Sequence, residues 1–431
     1  MTYSNFTAAL DIGSTHIALA IGTKTTDGTI NVIDYESTPS AAIKLGKITN
    51  ESAIAKDIQM LILKIQQRNK IIIESAYVST SSIGLYSNRI SISKSLGEGS
   101  IVTEELLENL NTHGDLIPES NKTKRLYCKP LVYRIDGEKV DEVKGNTCQR
   151  IEADYLAVDA DSESIERIKN TLRLAEIKMA DMYMSPIIAA EATLSSKEKK
   201  EGVAVVEIGN ASTKISIFKE DKLQYVSTIQ LGCKLIVNDL SNMLNISQEL
   251  AWKVFGNEQF GAVYTNLVED AEMELITKND IKKIFPTRFI VEIIEARLEE
   301  IILNVKNQIE KSGFMNLLIS GLVISGKVIT IKNLSHFVNI KTNFNVRISD
   351  IKANMPDDSN ITLAVTDTEI CGLLMLGKST SKNNEQIEEK KVEEIKKKTT
   401  EKDKPKKEGK WTFVGMKSMF DGMFDNEETE F

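Results

Sequence analysis

The stretch TAALDIGSTHIALAIG, residues 7–22, has the pattern of a β-strand, a tight turn and a second β-strand. The same pattern recurs in GVAVVEIGNASTKISIF, residues 202–218. In each copy an acidic residue, Asp11 or Glu207, ends the first strand and is followed by Ile-Gly. A pair of small hydroxyl residues comes next in both copies, Ser14-Thr15 and Ser212-Thr213. The repeat predicts two similar α/β cores in one chain.

Composition excludes several classes of protein. The chain has 431 residues, 41% hydrophobic and 27% charged, which is globular and long enough for two domains or a two-lobed body. A net charge of −8 argues against nucleic-acid binding. Four scattered cysteines and three histidines predict neither a disulfide framework nor a histidine-based metal site. The start, MTYSNFTAALDIGSTH, lacks the features of a signal peptide, so we expect a cytoplasmic protein.

Apolar spacing gives a coarse secondary structure along the chain. Helices are predicted at 51–70, 163–177, 286–311 and 366–377, and strands at 71–80 and 316–326. A middle stretch, 85–158, differs in character and mixes strand-like runs with one helix-like segment. Residues 378–410 hold twelve lysines, eight acids and almost no large apolar side chain, which predicts a disordered linker.

The duplicated turn has a chemical use. Consecutive backbone N–H groups in a tight turn can cradle a phosphate, and glycine lets the phosphate approach without meeting a Cβ. A carboxylate at the strand end can hold the waters of an Mg²⁺ ion. Most single Asp-Ile-Gly matches are plain strand ends. The repeat, followed by a third turn at ISG (324–326), favours the phosphate-binding interpretation.

Four segments together resemble a known superfamily. DIGSTHIALAIG, MSPIIAAEATL, GVAVVEIGNASTKISIF and NLLISGLVISGKVITIKNL resemble, in this order, the first phosphate, connecting, second phosphate and adenosine motifs of the actin and Hsp70 ATPases. Within that superfamily the chain resembles the FtsA family of bacterial division proteins, because of the extra segment 85–158, LGCKLIVNDLSNML and IIEARLEEIILNVKNQIEKSGF. The resemblance covers about residues 5 to 378.

The resemblance implies an α/β, actin-like two-lobed ATPase fold with duplicated βββαβα cores and an inserted FtsA-type subdomain. It also implies a nucleotide site for ATP, with Mg²⁺ held through water by Asp11 and Glu207. The implied nucleotide-binding residues are Asp11, Gly13, Ser14, Thr15, Glu207, Gly209, Ser212, Thr213, Glu249 and Gly326.

Several residues depart from the pattern of the resembled family. The second turn carries Glu207 instead of Asp, Asn210 and Ala211 instead of glycines, and Lys214 instead of its closing acid. In the adenosine loop, Gly326 is followed by Lys327, and Trp252 stands where a lysine is expected. Side chains in a phosphate nest displace the ligand. No general base stands out, so we expect at most weak ATPase activity.

The C-terminal stretch WTFVGMKSMFDGMF, residues 411–424, follows the linker. At 100° per residue its large apolar side chains fall on one face, which predicts an amphipathic helix at 411–425. The predicted membrane-binding residues are Trp411, Phe413, Met416, Met419, Phe420, Met423 and Phe424. The apolar face of this helix has two possible binding sites: the membrane interface, or a groove on a partner or on the body itself. Ten lysines between 390 and 410 favour anionic inner-membrane lipids.

The predicted function is a cell-division adaptor that tethers the FtsZ ring to the cytoplasmic face of the inner membrane. The resemblance implies self-association into filaments, binding of the FtsZ C-terminal peptide and recruitment of later division proteins. In the resembled family the peptide docks on the subdomain at about 233–309, where Lys282, Lys283 and Arg288 could meet an acidic peptide. Two alternatives are a scaffold for pilus or secretion assembly and an Hsp70-like ATPase.

The expected domain organisation follows the superfamily. The ranges are 1–84 and 159–198 for the first lobe core, 85–158 for the insertion, 199–232 and 310–377 for the second lobe core, 233–309 for its small subdomain, 378–410 for the linker and 411–425 for the tail helix.

Overall fold

The computed structural model describes most of the chain up to Lys378. The described residues are 6–14, 16–25, 29–40, 42–44, 47–80, 84–116, 122–256, 263, 271–351, 353–354 and 367–378. All of them belong to one unit, Met1–Asn383. Apart from Lys378, the predicted linker at 378–410 and tail helix at 411–425 lie outside the described residues.

The described residues form both strands and helices. The strands are β1 (Thr7–Ile12), β2 (His16–Lys24), β3 (Ile30–Pro39), β4 (Ile43–Lys44), β5 (Lys47–Ile48), β6 (Ser75–Ser79), β7 (Leu85–Ile101), β8 (Thr123–Ile135), β9 (Glu138–Val140), β10 (Thr147–Asp161), β11 (Lys178–Tyr183), β12 (Val203–Ile208), β13 (Thr213–Lys219), β14 (Lys222–Ile229), β15 (Glu272–Ile276), β16 (Lys282–Pro286), β17 (Leu322–Gly326), β18 (Val346–Ile348) and β19 (Ala353–Asn354). The helices are α1 (Glu51–Asn69), α2 (Glu104–Leu116), α3 (Ser162–Leu174), α4 (Ser185–Thr193), α5 (Ser196–Glu201), α6 (Cys233–Met243), α7 (Gln248–Phe255), α8 (Thr287–Lys311), α9 (Leu334–Thr342) and α10 (Thr368–Leu376).

Two sheets repeat one topology. The first contains the order β3-β2-β1-β6-β11, and the second has the order β14-β13-β12-β17-β18. In both, the first three strands are antiparallel and the last two run parallel to the central strand. The short β19 extends the first sheet beside β3. The prediction of two duplicated α/β cores is therefore confirmed.

Apolar side chains pack on both faces of the central strands. Along β12, Val203 and Val205 join one buried cluster, whereas Ala204 and Val206 join the other. This follows from the two-residue period of a strand, which points successive side chains to opposite faces. Helices α6, α8 and α9 cover the second of these faces. Because both faces of β12 are buried, its near-continuous apolar run needs no polar alternation.

A four-stranded antiparallel sheet in the order β7-β10-β8-β9 lies between β6 and α3 in the sequence, and α2 packs on it. The start of β7 meets the edge strand β14 of the second sheet. The Thr228 hydroxyl accepts a hydrogen bond from Leu85 N (2.9 Å) and donates one to Leu85 O (2.9 Å). The Ser87 hydroxyl bonds in the same two-way manner to Val226 N (2.8 Å) and Val226 O (2.9 Å). Side-chain hydroxyls thus join the long strand β7 of the inserted sheet to the edge strand β14 of the second core sheet.

Helices α4 and α10 pack closely against each other. Gly372 of α10 approaches α4 so closely that a Cβ there would overlap the backbone carbonyl of Ile188. In sequence, α4 follows β11 and α10 follows β19, and both strands belong to the first sheet. The contact therefore connects the two halves of the chain at a point where a side chain cannot fit.

The predicted strand at 316–326 is partly wrong. A 3-10 turn forms at Met315–Leu317, and β17 begins only at Leu322. Gly321 has φ +72° and donates its N–H to Leu318 O, so a turn interrupts the apolar run. The four long predicted helices are confirmed as α1, α3, α8 and α10, and the strand predicted at 71–80 is narrower, Ser75–Ser79.

The domain ranges stay predictions. Two of their limits fall inside regular elements, since residue 158 lies within β10 and residue 309 within α8. No helix among the described residues is long and apolar enough to cross a membrane.

Candidate functional site

The two repeated turns lie on opposite sides of one cavity. The first turn contributes Asp11, Gly13, Ser14 and His16, and the second contributes Glu207, Gly209, Asn210, Ala211, Ser212 and Lys214. The lining is completed by Gly326 at the end of β17, by Lys327, and by Asp367 and Glu369 at the start of α10. The structure therefore brings together three of the predicted loops and adds an acidic helix start that the sequence analysis did not include.

The turns share one backbone geometry. Gly13 N donates to His16 O, and Gly209 N donates to Ser212 O, both at 3.0 Å. The turns therefore match residue by residue: Ser14 corresponds to Asn210, and His16 to Ser212. Thr15 lies outside the described residues.

Gly326 is required by its backbone. It has φ +91° and stands beside Ile208 in the parallel register of β12 and β17. A Cβ on Gly326 would lie 2.5 Å from Ile208 O. Glycine is thus needed both for its conformation and for the close approach of the two strands.

Asp11 is a buried carboxylate at the end of β1. Its exposed fraction is 4%, and the Ser79 hydroxyl donates a short hydrogen bond to its Oδ1. Ser79 ends β6, which runs parallel to β1, so the carboxyl ends of two neighbouring strands meet at the cavity. This is the edge at which parallel α/β sheets place their ligands.

Glu207 has a cation directly opposite it. Lys214 is its partner in the antiparallel register of β12 and β13, and Lys214 Nζ lies 3.8 Å from Glu207 Oε2. The same nitrogen lies 4.0 Å from Glu369 Oε1 and donates a hydrogen bond to Ser185 Oγ at 2.8 Å. Lys214 is 5% exposed and Glu369 8%. Burial, reinforced by the nearby Glu207 carboxylate, raises the pKa of Glu369 well above its usual range.

A second polar cluster links the first turn to α10. His16 Nε2 lies 3.1 Å from Asp367 Oδ1, and the Tyr35 hydroxyl donates a short hydrogen bond to Asp367 Oδ2. Burial lowers the pKa of His16, but the hydrogen bond to Asp367 and the charge of Asp11 outweigh it, so the pKa of His16 is raised. Burial, together with the Asp367 carboxylate, raises the pKa of Tyr35.

Two predicted nucleotide-binding residues do not line the cavity. Thr213 is fully buried, and its hydroxyl donates to Leu231 O at 2.7 Å. Glu249 lies on α7 with an 81% exposed side chain, paired with Lys253 at 2.8 Å. The ion pair with Lys253 lowers the pKa of Glu249.

The cavity between the turns is small. Its volume is about 80 Å³, whereas ligand pockets typically span roughly 300–1,000 Å³. A neighbouring cavity of about 490 Å³ shares Ser14, Asn210 and Lys327 with it. Trp252, Ser40, Ile43, Lys44 and Lys234 complete that second lining. Together the two cavities form a cleft with buried charges at one end and an indole and lysines at the other.

A divalent cation does not fit this arrangement at Glu207. The Lys214 ammonium group already occupies the space beside the carboxylate that would hold the waters of the ion. Within the part of the chain that the structure describes, no three His, Cys, Asp or Glu side chains come together as metal ligands. The positive charge of Lys214 therefore opposes binding of the Mg²⁺ ion that was expected at Asp11 and Glu207.

The predicted partner-binding cations lie away from the cleft, on and after the β15–β16 hairpin. Each has an internal partner: Lys282 pairs with Glu274 at 2.8 Å, Arg288 with Glu292 at 3.3 Å, and Lys283 Nζ lies 5.2 Å from the Phe285 ring centre. The predicted membrane-binding residues of the tail lie outside the described residues.

Sequence reasoning missed Asp367 and Glu369 as cavity residues. A usable signal was present, because TEICGLLML carries one carboxylate in an otherwise apolar helix, and such an acid has to face polar groups. The sequence identifies Lys214, Lys327 and Trp252 only as departures from the pattern of the resembled family, and gives them no role in the site.

The duplicated sheets and the cleft between their turns define an actin-like body. The PilM-PilN type IV pilus biogenesis complex is similar to it, with a TM-score of 0.59 and 14% identity over 86% of this chain and 96% of that chain. The ethanolamine utilization protein EutJ from Carboxydothermus hydrogenoformans has a TM-score of 0.50 and 13% identity, over 86% of this chain and 90% of that chain. These likenesses support the fold alone.

Sequence comparison is more specific. A family model described as "Cell division protein FtsA" matches residues 204–366. The protein of that name from Pseudomonas aeruginosa is 24% identical over 74% of this chain and 76% of its own length. The one from Bacillus subtilis is 25% identical over 76% of this chain and 74% of its own length. The one from Buchnera aphidicola is 25% identical over 86% of this chain and 90% of its own length. Over most of its length the chain is therefore similar to the FtsA family of cell-division proteins.

Proposed function

We propose that this chain acts in cell division as an adaptor between FtsZ and the inner membrane. In this proposal the actin-like body self-associates, its second lobe binds the C-terminal peptide of FtsZ, and its C-terminal tail binds anionic lipid and thereby brings the complex to the division site. Similarity to proteins named cell division protein FtsA supports the division role. Recruitment of later division proteins belongs to the same proposal.

The observation that carries the proposal is the outer face of the β15–β16 hairpin. Ile276, Ile281 and Ile284 are 54%, 61% and 56% exposed. In the hairpin register Ile276 pairs with Lys282, and Ile284 pairs with Glu274, so apolar and charged side chains share this face. Exposed apolar side chains rimmed by charge are typical of protein-binding surfaces. The hairpin also lies inside the segment that matches the family model.

Register separates the two adjacent lysines. Leu275 and Phe285 of the hairpin are buried, and alternation puts Lys283 on their side of the strands. Lys282 instead shares the outer face with Ile284. A peptide bound to the outer face would therefore meet Lys282 and Ile284 more directly than Lys283.

The test is binding of the labelled FtsZ C-terminal peptide, followed by fluorescence anisotropy. Charge reversal at Lys282, Lys283 and Arg288 together should weaken binding by about tenfold or more, because three rim charges of about 0.5–1 kcal/mol each change sign. Ile284→Asp should weaken it as strongly, and Lys283→Glu alone should weaken it less than Lys282→Glu. Lys56→Glu, an exposed lysine on α1, serves as the matched control. Equal affinity for all variants would refute the docking surface.

The tail part of the proposal rests on the sequence. Six large apolar side chains on one helical face give roughly 6–9 kcal/mol of gross burial, and ordering the helix removes several of these. A single tail should therefore bind membrane weakly and reversibly. Linking many bodies in a filament raises the avidity by roughly 10²–10⁴. An actin-like body that polymerises would thus make a weak anchor effective.

The cleft completes the proposal as a site for an adenine nucleotide. The repeated turns place backbone and polar groups around the smaller cavity, and the larger one offers Trp252 as a stacking surface for a base. In this role the nucleotide would act as a structural ligand of the body.

A further inference from the structure

The two repeated turns differ at one position that decides the charge of the cleft. In the first turn, the residue opposite Asp11 across the strands is Ala18. In the second, the residue opposite Glu207 is Lys214. The repeat is therefore similar in backbone and in its acids, but only the second copy places a lysine opposite its acid.

The buried ammonium group of Lys214 is surrounded by polar and acidic side chains. Its nitrogen has the Ser185 hydroxyl at 2.8 Å and the carboxylates of Glu207 and Glu369 at 3.8 Å and 4.0 Å. Neither oxygen of Glu369 has a hydrogen-bond partner among the described residues. The distances to the two carboxylates are at the long limit of an ion pair. The ammonium group is thus anchored by Ser185 and still faces the cavity that it lines.

The carboxylate of Glu207 is also the group that was expected to hold a nucleotide-bound Mg²⁺ through water. An Mg²⁺ ion held by Glu207 through water would share that carboxylate with the Lys214 ammonium group. Two positive charges on one carboxylate repel each other in a buried cavity. Lys327, which also lines the cavity, adds a second ammonium group. The lining thus has two ammonium groups of its own, Lys214 and Lys327, among its acidic side chains.

We propose that Lys214 takes the place of a divalent cation in this cleft, so that the phosphates of a nucleotide bind here without Mg²⁺. The inference rests on the proposed nucleotide site and specifies which positive charge that site uses. A lysine presents a fixed point charge with three donors, which suits phosphate oxygens. Unlike a metal ion, it cannot be removed by a chelator.

The test uses the full chain with Trp411→Phe, which leaves Trp252 as its single tryptophan. ATP is titrated against the fluorescence of Trp252, once with Mg²⁺ and once with EDTA. The two dissociation constants should agree within about twofold, which is less than 0.5 kcal/mol. A tenfold or greater loss of affinity on adding EDTA would overturn the proposal.

Variants at position 214 separate a ligand-binding role from a merely structural one. Lys214→Met should weaken metal-free binding by about tenfold or more, the effect of losing one charge-assisted contact. It should also make the affinity respond to Mg²⁺, because the repelling charge is gone. Lys214→Arg should keep metal-free binding, and Lys56→Met, outside the cleft, should match the parent. Unchanged metal-free affinity in folded Lys214→Met would overturn the assignment.

Two further measurements keep the outcomes distinct. If Lys214→Met fails to fold, Lys214→Met/Glu369→Gln removes one acid with the cation, and the same loss of metal-free binding is expected from it.

If the parent binds no ATP in either condition, the nucleotide proposal fails, and Mn²⁺ binding followed by electron paramagnetic resonance decides the metal question alone. We expect no cleft-bound Mn²⁺ in the parent and a bound ion in Lys214→Met. Mn²⁺ bound by the parent and lost in Asp11→Asn would overturn the metal exclusion.

Discussion

Replacing Gly326 by Ala tests the close approach of β17 and β12 beneath the cleft. Gly326 combines φ +91° with ψ −164°, a region that only glycine occupies readily, and an alanine held there costs about 1–3 kcal/mol. The new Cβ would also lie 2.5 Å from Ile208 O, and relieving that overlap by shifting packed strands costs a further 1–3 kcal/mol or so. A combined loss of about 2–6 kcal/mol lowers Tm by roughly 4–24 °C.

The matched control is Gly313→Ala. Gly313 also has a positive φ, +78°, but a Cβ there meets no atom within 4 Å. Only the conformational cost applies, about 1–2 kcal/mol, which lowers Tm by roughly 2–8 °C. Differential scanning calorimetry of both variants gives the difference directly. Equal falls in Tm would refute the reasoning, because the contact with Ile208 would then contribute nothing.

Three further predictions concern other parts of the molecule. The pKa of His16 is raised, so its pairing with Asp367 stabilises the fold fully below about pH 6.5 and less as the pH rises through the folded-state pKa. The Tm of the parent should therefore fall over this pH range, and the Tm of His16→Asn should not show this decrease. Thr228→Val removes both hydrogen bonds to Leu85 and should speed hydrogen exchange at the Leu85 amide, whereas Thr228→Ser should preserve its protection. Equal exchange in both variants would count against the contact between β7 and β14. With Trp252→Phe, Trp411 becomes the single tryptophan, and anionic vesicles should shift its emission to the blue; an unshifted spectrum with assembled protein would contradict lipid binding by the tail.

The duplicated core could be predicted because its signal is local. Asp11-Ile-Gly and Glu207-Ile-Gly each stand between two apolar runs, and a tight turn with a glycine is the simplest structure for such a pattern. The strand order then follows from repetition of one supersecondary unit. The interruption at Gly321 was less visible, because the apolar residues on either side continue the period of a strand.

The charges of the cleft could not be predicted in the same way. Lys214 and Glu369 are far apart in sequence, and their ion pair depends on how α10 returns to the cavity. The same holds for His16 and Asp367, which link β2 to the start of α10. Glu249 is an example of a residue that the sequence pattern of the resembled family assigns to the site but the structure does not. Its side chain pairs with Lys253 on the surface. Local pattern located the turns, but long-range packing selected the side chains that face the cavity.

The most direct test of the proposed adaptor is recruitment of FtsZ to vesicles of anionic lipid, measured by co-sedimentation. We expect FtsZ to pellet with vesicles when the intact chain is added, and to stay in the supernatant with a chain ending at residue 410. A chain ending at 425, which keeps every predicted membrane-binding residue, should recruit FtsZ as the intact chain does. Equal pelleting of FtsZ with the intact chain and with the chain ending at 410 would contradict the account.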